Sequence, residues 1–234
     1  MILAKQLENC DVIVFGCPNS SKLRPAEIDV LKKYVAKGGG LMLLSLSGGD
    51  RGLMNNMSQL GKHFGITFEN TAVKDERNNA GLPTMPIISN LVAHPVTEDI
   101  SDLLLPSGCS LQVTEKAVVI ATTSDAAEPA SQPVVAIAEH KKGKVMCVGS
   151  YEVFRRGGGF KHKGNKTFAT NAFRWLSGEL TIPKPSKVAK TQVDAQEAAA
   201  ASVKRSDEFE KTLKRLVNAV FDLQKDISKA TKQI

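Results

Sequence analysis

Apolar residues are distributed along this chain in two rhythms, short unbroken runs and stretches spaced three and four residues apart. The clearest run is Leu41 to Leu46, too short for a helix and closed on both sides by glycine, which predicts a strand buried on both faces. Before it, Pro25 opens a helix whose Ile28, Leu31, Tyr34 and Val35 share one face and whose end is marked by Gly38. After it, the glycine loop Ser47 to Gly52 leads into a helix with Leu53, Met57, Leu60 and Phe64 along one stripe, stopping at Gly65. Upstream, Ile2, Leu3 and Leu7 carry helical spacing, and Val12 to Phe15 is a short apolar strand ended by Gly16. Strand and helix alternate, which predicts parallel strands, right-handed crossovers and helices covering an α/β sheet.

Further along, the pattern changes. Thr71 to Pro86 is polar and predicts an exposed loop, and a short helical segment is expected near Ile100 to Leu104. Leu111–Val113 and Val118–Ala121 read as strands, and Ser124 to Gln132 as a loop. Val134–Ala138 and Lys144–Val148, joined by His140 to Gly143, predict a hairpin at the end of the sheet, making a mostly parallel sheet mixed. Arg155 to Lys166 reads as a basic, glycine-rich loop, and Phe168 to Leu176 as a closing amphipathic helix ended by Gly178. Pro183 and Pro185 break regular structure, giving a domain over 1–182, a linker over 183–205 and a helix over 206–234. In that helix Phe209, Leu213, Leu216, Val220, Leu223, Ile227, Ala230 and Ile234 alternate in steps of four and three, a coiled-coil-type seam flanked by charged residues. Such a helix is marginal alone and seeks a partner, whether another copy, another protein or its own domain.

Composition adds few function classes. The 234 residues carry a net charge of +7, but acidic residues are interspersed with the basic ones, and aromatics make up only 5%. A mixed, solvated surface follows, and a nucleic-acid partner is disfavoured. Cys10, Cys17, Cys109 and Cys147 form no C-x-x-C pair and have no histidines at metal spacing, so reduced, buried thiols are expected rather than zinc or disulfides. There is no apolar run of membrane-spanning length and no signal-like amino terminus, which places the chain in the cytoplasm.

Four stretches in order carry a family resemblance: Leu31-Lys32-Lys33-Tyr34 through Gly38-Gly39; Gly48-Gly49 with Asn56 and Leu60 and then Phe64-Gly65-Ile66; Gly143-Lys144-Val145 through Ser150 and Phe154; and Phe173 to Glu179. Together they resemble the GIFT domain, the variant of the class I glutamine amidotransferase-like fold named for gliding-motility and intraflagellar transport components. The resemblance covers about Leu3 to Leu180 and implies that fold together with a role in transport assemblies. It also implies a strand upstream of the first helix, and Met1 stands after that point, so a truncated start or an altered sheet is expected.

An amidotransferase needs a cysteine on a strand-to-helix elbow with a histidine and a carboxylate to activate it. Here Ser47 follows the central strand, without a G-x-S-x-G frame, and none of His63, His94, His140 and His162 stands in a His-x-Glu pair. Ser47 therefore reads as a helix cap and His94 as a satisfied loop histidine. Cys17 stands at a strand end without an evident base, and Cys147 lies mid-strand. The loop Ser47, Gly48, Gly49, Asp50, Arg51 offers backbone N–H groups and one cation, a candidate site for a small acidic ligand or a glycan, while the groups a nucleotide loop requires are absent. No cofactor or metal is implied. The expected function is a non-catalytic protein-interaction module assembling through its carboxyl-terminal helix. The rivals are a small-ligand or glycan-binding domain, a hydrolase using an unrecognised Ser or Cys, and an anionic-surface binder using Arg155 to Lys166.

Overall fold

The computed structural model describes residues 1–180. After a short 3-10 turn at Ala4–Leu7, the chain runs through strand β1 (Val12–Gly16), helix α1 (Pro25–Ala36), β2 (Gly40–Leu44), the short helices α2 (Gly49–Leu53) and α3 (Met57–Gly61), and β3 (Ile66–Phe68). Short strands follow at β4 (Lys74–Asp75), β5 (Ile87–Ile88), β6 (Asn90–Leu91), β7 (Leu103–Leu104) and β8 (Leu111–Val113). Then come β9 (Val118–Thr122), β10 (Ala127–Glu128), β11 (Pro133–His140), β12 (Gly143–Val148) and the long helix α4 (Lys163–Leu176).

Six strands form the main sheet in the order β1-β2-β12-β11-β9-β6. All five residues of β2 are buried, as the apolar run predicts. Leu41 and Leu43 face the α1 and α3 side with Leu31, Val35 and Leu60, whereas Met42 and Leu44 face α4 with Phe168, Ala172 and Trp175. Successive side chains of a strand point to opposite faces, so one uninterrupted apolar run supplies both cores.

The sheet is mixed, as expected, but parallel pairing is confined to β1–β2 and β2–β12. The β11–β12 hairpin sits in the middle of the sheet rather than at its end, because β12 pairs with β2 on its far side. Its turn holds Lys141 at φ 55°, and Gly143, two residues on, lies against the carbonyls of Val35 and Gly39 where a Cβ would clash. Leu103–Leu104 is a strand paired with Ile87–Ile88, not a helix, and Leu103 and Leu105 are buried in the core cluster that holds Phe168 and Trp175 of α4.

Two segments expected as open loops are tied down. Asp75, within the polar stretch Thr71 to Pro86, is only 2% exposed and accepts hydrogen bonds from the Arg77 and Asn78 amides and the Ser124 hydroxyl. Burial works against ionisation there, but these donors outweigh it and hold the carboxyl below its ordinary value. In Arg155 to Lys166, Gly159–Lys161 is a 3-10 turn and the last four residues are the first turn of α4. Asn165, fully buried, exchanges two hydrogen bonds with the Leu104 backbone and donates to Gly159 O, so the helix starts five residues earlier than its apolar spacing signals. A buried amide with its partners satisfied is worth keeping, and a periodicity count is blind to it.

The glycine at position 143 is open to a direct test. Gly143→Ala places a methyl group on two main-chain oxygens that cannot retreat without lifting α1 from the sheet. Chemical denaturation is expected to show a loss of about 1–3 kcal/mol.

Candidate functional site

The carboxyl ends of β1, β2 and β12 lie side by side, and the loops leaving them form the crevice where chemistry collects in α/β sheets. Cys17 leaves β1 with φ 57°, Ser45 to Asp50 leave β2, and Ser150 to Glu152 leave β12. The loops are stitched to one another: Ser45 N–H donates to Val148 O at 3.1 Å, and Tyr151 N–H donates to Ser45 O at 2.8 Å.

The glycine loop is built into this network. Ser47 N–H donates to Ser107 O at 2.8 Å, Gly48 N–H to Thr71 O at 2.7 Å and Gly49 N–H to Leu46 O at 3.0 Å. Three of the backbone donors expected to cradle an anion are therefore engaged with carbonyls of the chain itself. Ser47 is not the expected cap, because its hydroxyl donates to Ser107 O at 3.2 Å and Gly48, in the left-handed region, stands at the cap position. Gly49, also left-handed, packs against Glu69 O, where no side chain fits. Arg51 is exposed.

The single helix expected after this loop is broken into α2 and α3 at Met54-Asn55-Asn56, with Met54 at φ 51°. Polar contacts made at a distance in sequence cause the break. Asn56 accepts from Leu23 N–H and donates to Leu23 O, both at 2.8 Å, and Asn55 donates to Pro18 O at 2.7 Å, so the two asparagines clamp the loop after β1. Asp50 takes the N–H of Ser58 at 2.8 Å and joins the two short helices.

Asp50 is held with one carboxylate oxygen buried and without a hydrogen-bond partner among the described residues, as is the Ser45 hydroxyl. Burial raises the Asp50 carboxyl above its ordinary value, although Ser58 works to lower it. Burial also pushes the Cys17 thiol up to about 11, with Glu152 adding to the effect, and the Cys109 thiol up to about 12. Cys147, wholly buried in β12, is shifted in the same direction by burial first. These thiols are held protonated, the opposite of an activated nucleophile. Against the expectation of buried thiols, Cys10 is exposed and Cys17 only half-buried, because the segment before β1 and the loop after it lie near the surface, while Cys109 and Cys147 are buried. Glu152, nearly buried, is paired with Arg155 Nε at 2.7 Å.

His94 lies away from the crevice. Its Nδ1 accepts from Val96 N–H at 3.1 Å and caps a 3-10 turn, and its ring meets Trp175 edge-on at a centroid distance of 5.5 Å. Nε2 is buried without a partner, so the histidine is satisfied on one side only. Burial lowers its pKa, and Lys144 acts in the same direction. No group of three or more His, Cys, Asp or Glu side chains is arranged for a metal among the described residues. The seam residues Phe209, Leu213, Leu216, Val220, Leu223 and Ile227, the 183–205 linker and the coiled-coil-type helix lie outside the described residues.

Residues 1–78 match the family model of the IFT52 GIFT domain. The resemblance to the GIFT domain holds. The chain is 25% identical over 201 residues to the intraflagellar transport protein 52 homolog of Mus musculus, and 24% identical over 200 residues to that of Homo sapiens. Each alignment covers 75% of this chain and 45% and 44% of the relatives, so the chain spans under half the length of the curated relatives it matches. In structure it superposes on the mmIFT52 N-terminal domain with a TM-score of 0.70 at 23% identity, covering 77% of this chain and 83% of that one. A Salmonella typhimurium cytoplasmic protein, STM1381, gives a TM-score of 0.55 at 19% identity over 74% of each chain. These likenesses establish an α/β fold with a mixed sheet flanked by helices, similar to the IFT52 amino-terminal domain. No described helix is long and apolar enough to cross a membrane.

Two outcomes follow from the crevice. Because Asp50 binds its proton more tightly folded than unfolded, its contribution to stability rises as pH falls through its raised pKa. Asp50→Asn is expected to be more stable than the parent at pH 7, with the difference shrinking as thermal melts are moved toward pH 4. In a thiol-reagent assay, Cys10 is expected to react in the native protein within minutes. Cys109 and Cys147 are expected to react only at the rate of unfolding.

Proposed function

We propose that this chain is a non-catalytic, GIFT-type interaction module of an intraflagellar-transport-like assembly, joined to its partners through the heptad helix over 206–234. The observation that carries this reading is the use of the crevice groups. Where an amidotransferase of this fold would hold an activated nucleophile, Ser47 donates to a backbone carbonyl and Cys17 carries a thiol raised by burial and a nearby carboxylate. The polar groups at the strand ends hold loops to one another, which is the economy of a scaffold rather than a reaction centre. The match of residues 1–78 to the IFT52 GIFT model supports the same reading, and the seam spacing supplies a means of assembly.

Light scattering on the full chain at several concentrations tests assembly through the helix. Leu216→Asp with Leu223→Asp places two charges in the seam and is expected to lower the particle mass at least twofold, or to abolish capture of a protein partner. The melting temperature of the α/β domain should stay unchanged. A mass and a partner set unaffected by the double substitution would remove the helix from the assembly.

A further inference from the structure

The β11–β12 hairpin projects past the strand beside it. The ladder with β9 begins at Val118, the register partner of Ile137, and the chain before it turns away, with Ala117 N–H donating back to Thr114 O at 3.0 Å. Ala138, Glu139 and His140 therefore have β12 on one side and, among the described residues, no strand on the other. The hydrogen-bond phase of this notch follows from β12. Lys144 N–H donates to Gly39 O at 3.4 Å, so Lys144 faces β2, and its neighbours Gly143 and Val145 face β11, where they meet His140 and Ala138. The N–H and C=O of Glu139 are left pointing into the notch.

A cavity of about 270 Å³ occupies this notch, lined by His63, Phe64, Lys116, Ala138, Glu139 and His140. Phe64 is buried beneath it and meets the His140 ring edge-on at a centroid distance of 5.5 Å. Lys116 is held beside it because its Cβ packs over Gly65, where no side chain fits. Charge on this face is one-sided. Strand side chains alternate, so Ala138 and His140 share the face of Phe64, while Glu139 turns its carboxylate to the opposite face with its register partner Lys144. Burial lowers the His63 pKa, and Lys32, Lys116 and Lys62 add to the effect; Asp29, the opposing carboxylate, is paired with Lys32 at 3.3 Å.

These groups specify a ligand. An inorganic anion would meet the cations and the Glu139 N–H but leave the Glu139 C=O without a donor. An internal peptide segment laid along β11 would continue in both directions, and Val118 blocks one of them. A chain running parallel to β11 would bring its amino terminus to the cations. A chain that enters past the hairpin turn in the direction of β9 and ends opposite Glu139 meets none of these objections. It exchanges both backbone bonds with Glu139 and sets its terminal carboxylate among Lys116, His63 and His140.

We propose that the notch beside Glu139 receives the carboxyl-terminal residue of a partner protein, paired to the Glu139 backbone with its carboxylate among Lys116, His63 and His140. This contact uses no residue of the heptad seam and does not rest on it.

The test is an amide NMR titration of the full chain with N-acetyl-tetraalanine bearing a free carboxylate, carried to millimolar peptide. Saturable shifts are expected at the Glu139, His140 and Lys116 amides. The same peptide with its carboxyl group amidated, and inorganic phosphate, are each expected to bind about tenfold more weakly or not at all, since each lacks one part of the match. Lys116→Glu and His63→Asp, both at exposed positions, place a carboxylate at the cavity and are expected to weaken the free-acid peptide about tenfold or more with the melting temperature unchanged. Imidazole NMR gives an independent readout, because a carboxylate bound beside His63 favours the imidazolium and should raise its pKa. Absence of shifts at millimolar peptide overturns the proposal. So does equal affinity for acid and amide, or phosphate binding as tightly as the peptide, or saturation that leaves His63 unmoved. Failure of the seam would show instead as a particle mass unchanged by Leu216→Asp with Leu223→Asp, so the two readings fail separately.

Discussion

The architecture rests on how closely two helices approach the amino ends of the two central strands. Gly40 opens β2 beneath the end of α4, where a Cβ would stand 2.6 Å from Leu176 O, and Gly143 opens β12 beneath Val35 O at the end of α1. Between them, Gly39 lies under the Tyr34 ring, whose hydroxyl donates to Cys10 O at 3.0 Å. Gly40 and Gly143 thus allow main chain to touch main chain, Gly39 makes room for the Tyr34 ring, and both helices are seated at the same end of the sheet. Their axes then run across opposite faces, and Leu41–Leu44 and Val145–Val148 are covered on both sides.

With one end closed by packing, loops gather at the other. There the chain uses hydrogen bonds where it uses apolar contact below. Ser45, Ser47, Ser107, Ser110, Ser150, Asn55 and Asn56 bond to backbone or to one another across the strand ends, mostly over large sequence separations. A buried polar group without a partner is costly, so loops stitched in this way hold one conformation. The unpartnered oxygens of Asp50 and Ser45 are exceptions in a region otherwise satisfied. The Ser47 hydroxyl and the N–H groups of Ser47, Gly48 and Gly49 are here consumed in holding shape. That is why the proposed role is recognition of other proteins rather than turnover.

The chain pattern made the layered α/β domain legible, for a specific reason. Burial on two faces demands an unbroken apolar run, burial on one face demands spacing of three and four, and both rhythms are written locally in Leu41–Leu46, Ile28–Val35 and Phe168–Leu176. The helix ends at Gly38, Gly65 and Gly178 were equally legible, since each holds positive φ that other residues resist. The GIFT resemblance was carried by residues of these same kinds, glycines and core positions, which is why it spoke to fold more firmly than to function.

Tertiary structure decided what local rhythm cannot encode. The central place of the β11–β12 hairpin depends on which strand β12 finds on its far side, and hydrophobic alternation is the same for either neighbour. The broken helix at Asn55-Asn56, the early start of α4 at Asn165 and the anchoring of the polar loop at Asp75 each depend on a polar side chain meeting backbone or hydroxyl groups at close range. A polar residue in sequence reads as surface, and only the fold reveals that its partners are buried with it. The fate of the glycine loop is of this kind as well: the sequence determined that Ser47 to Arg51 leaves a buried strand, and the packing of Ser107 and Thr71 against it determined that its N–H groups face the chain itself.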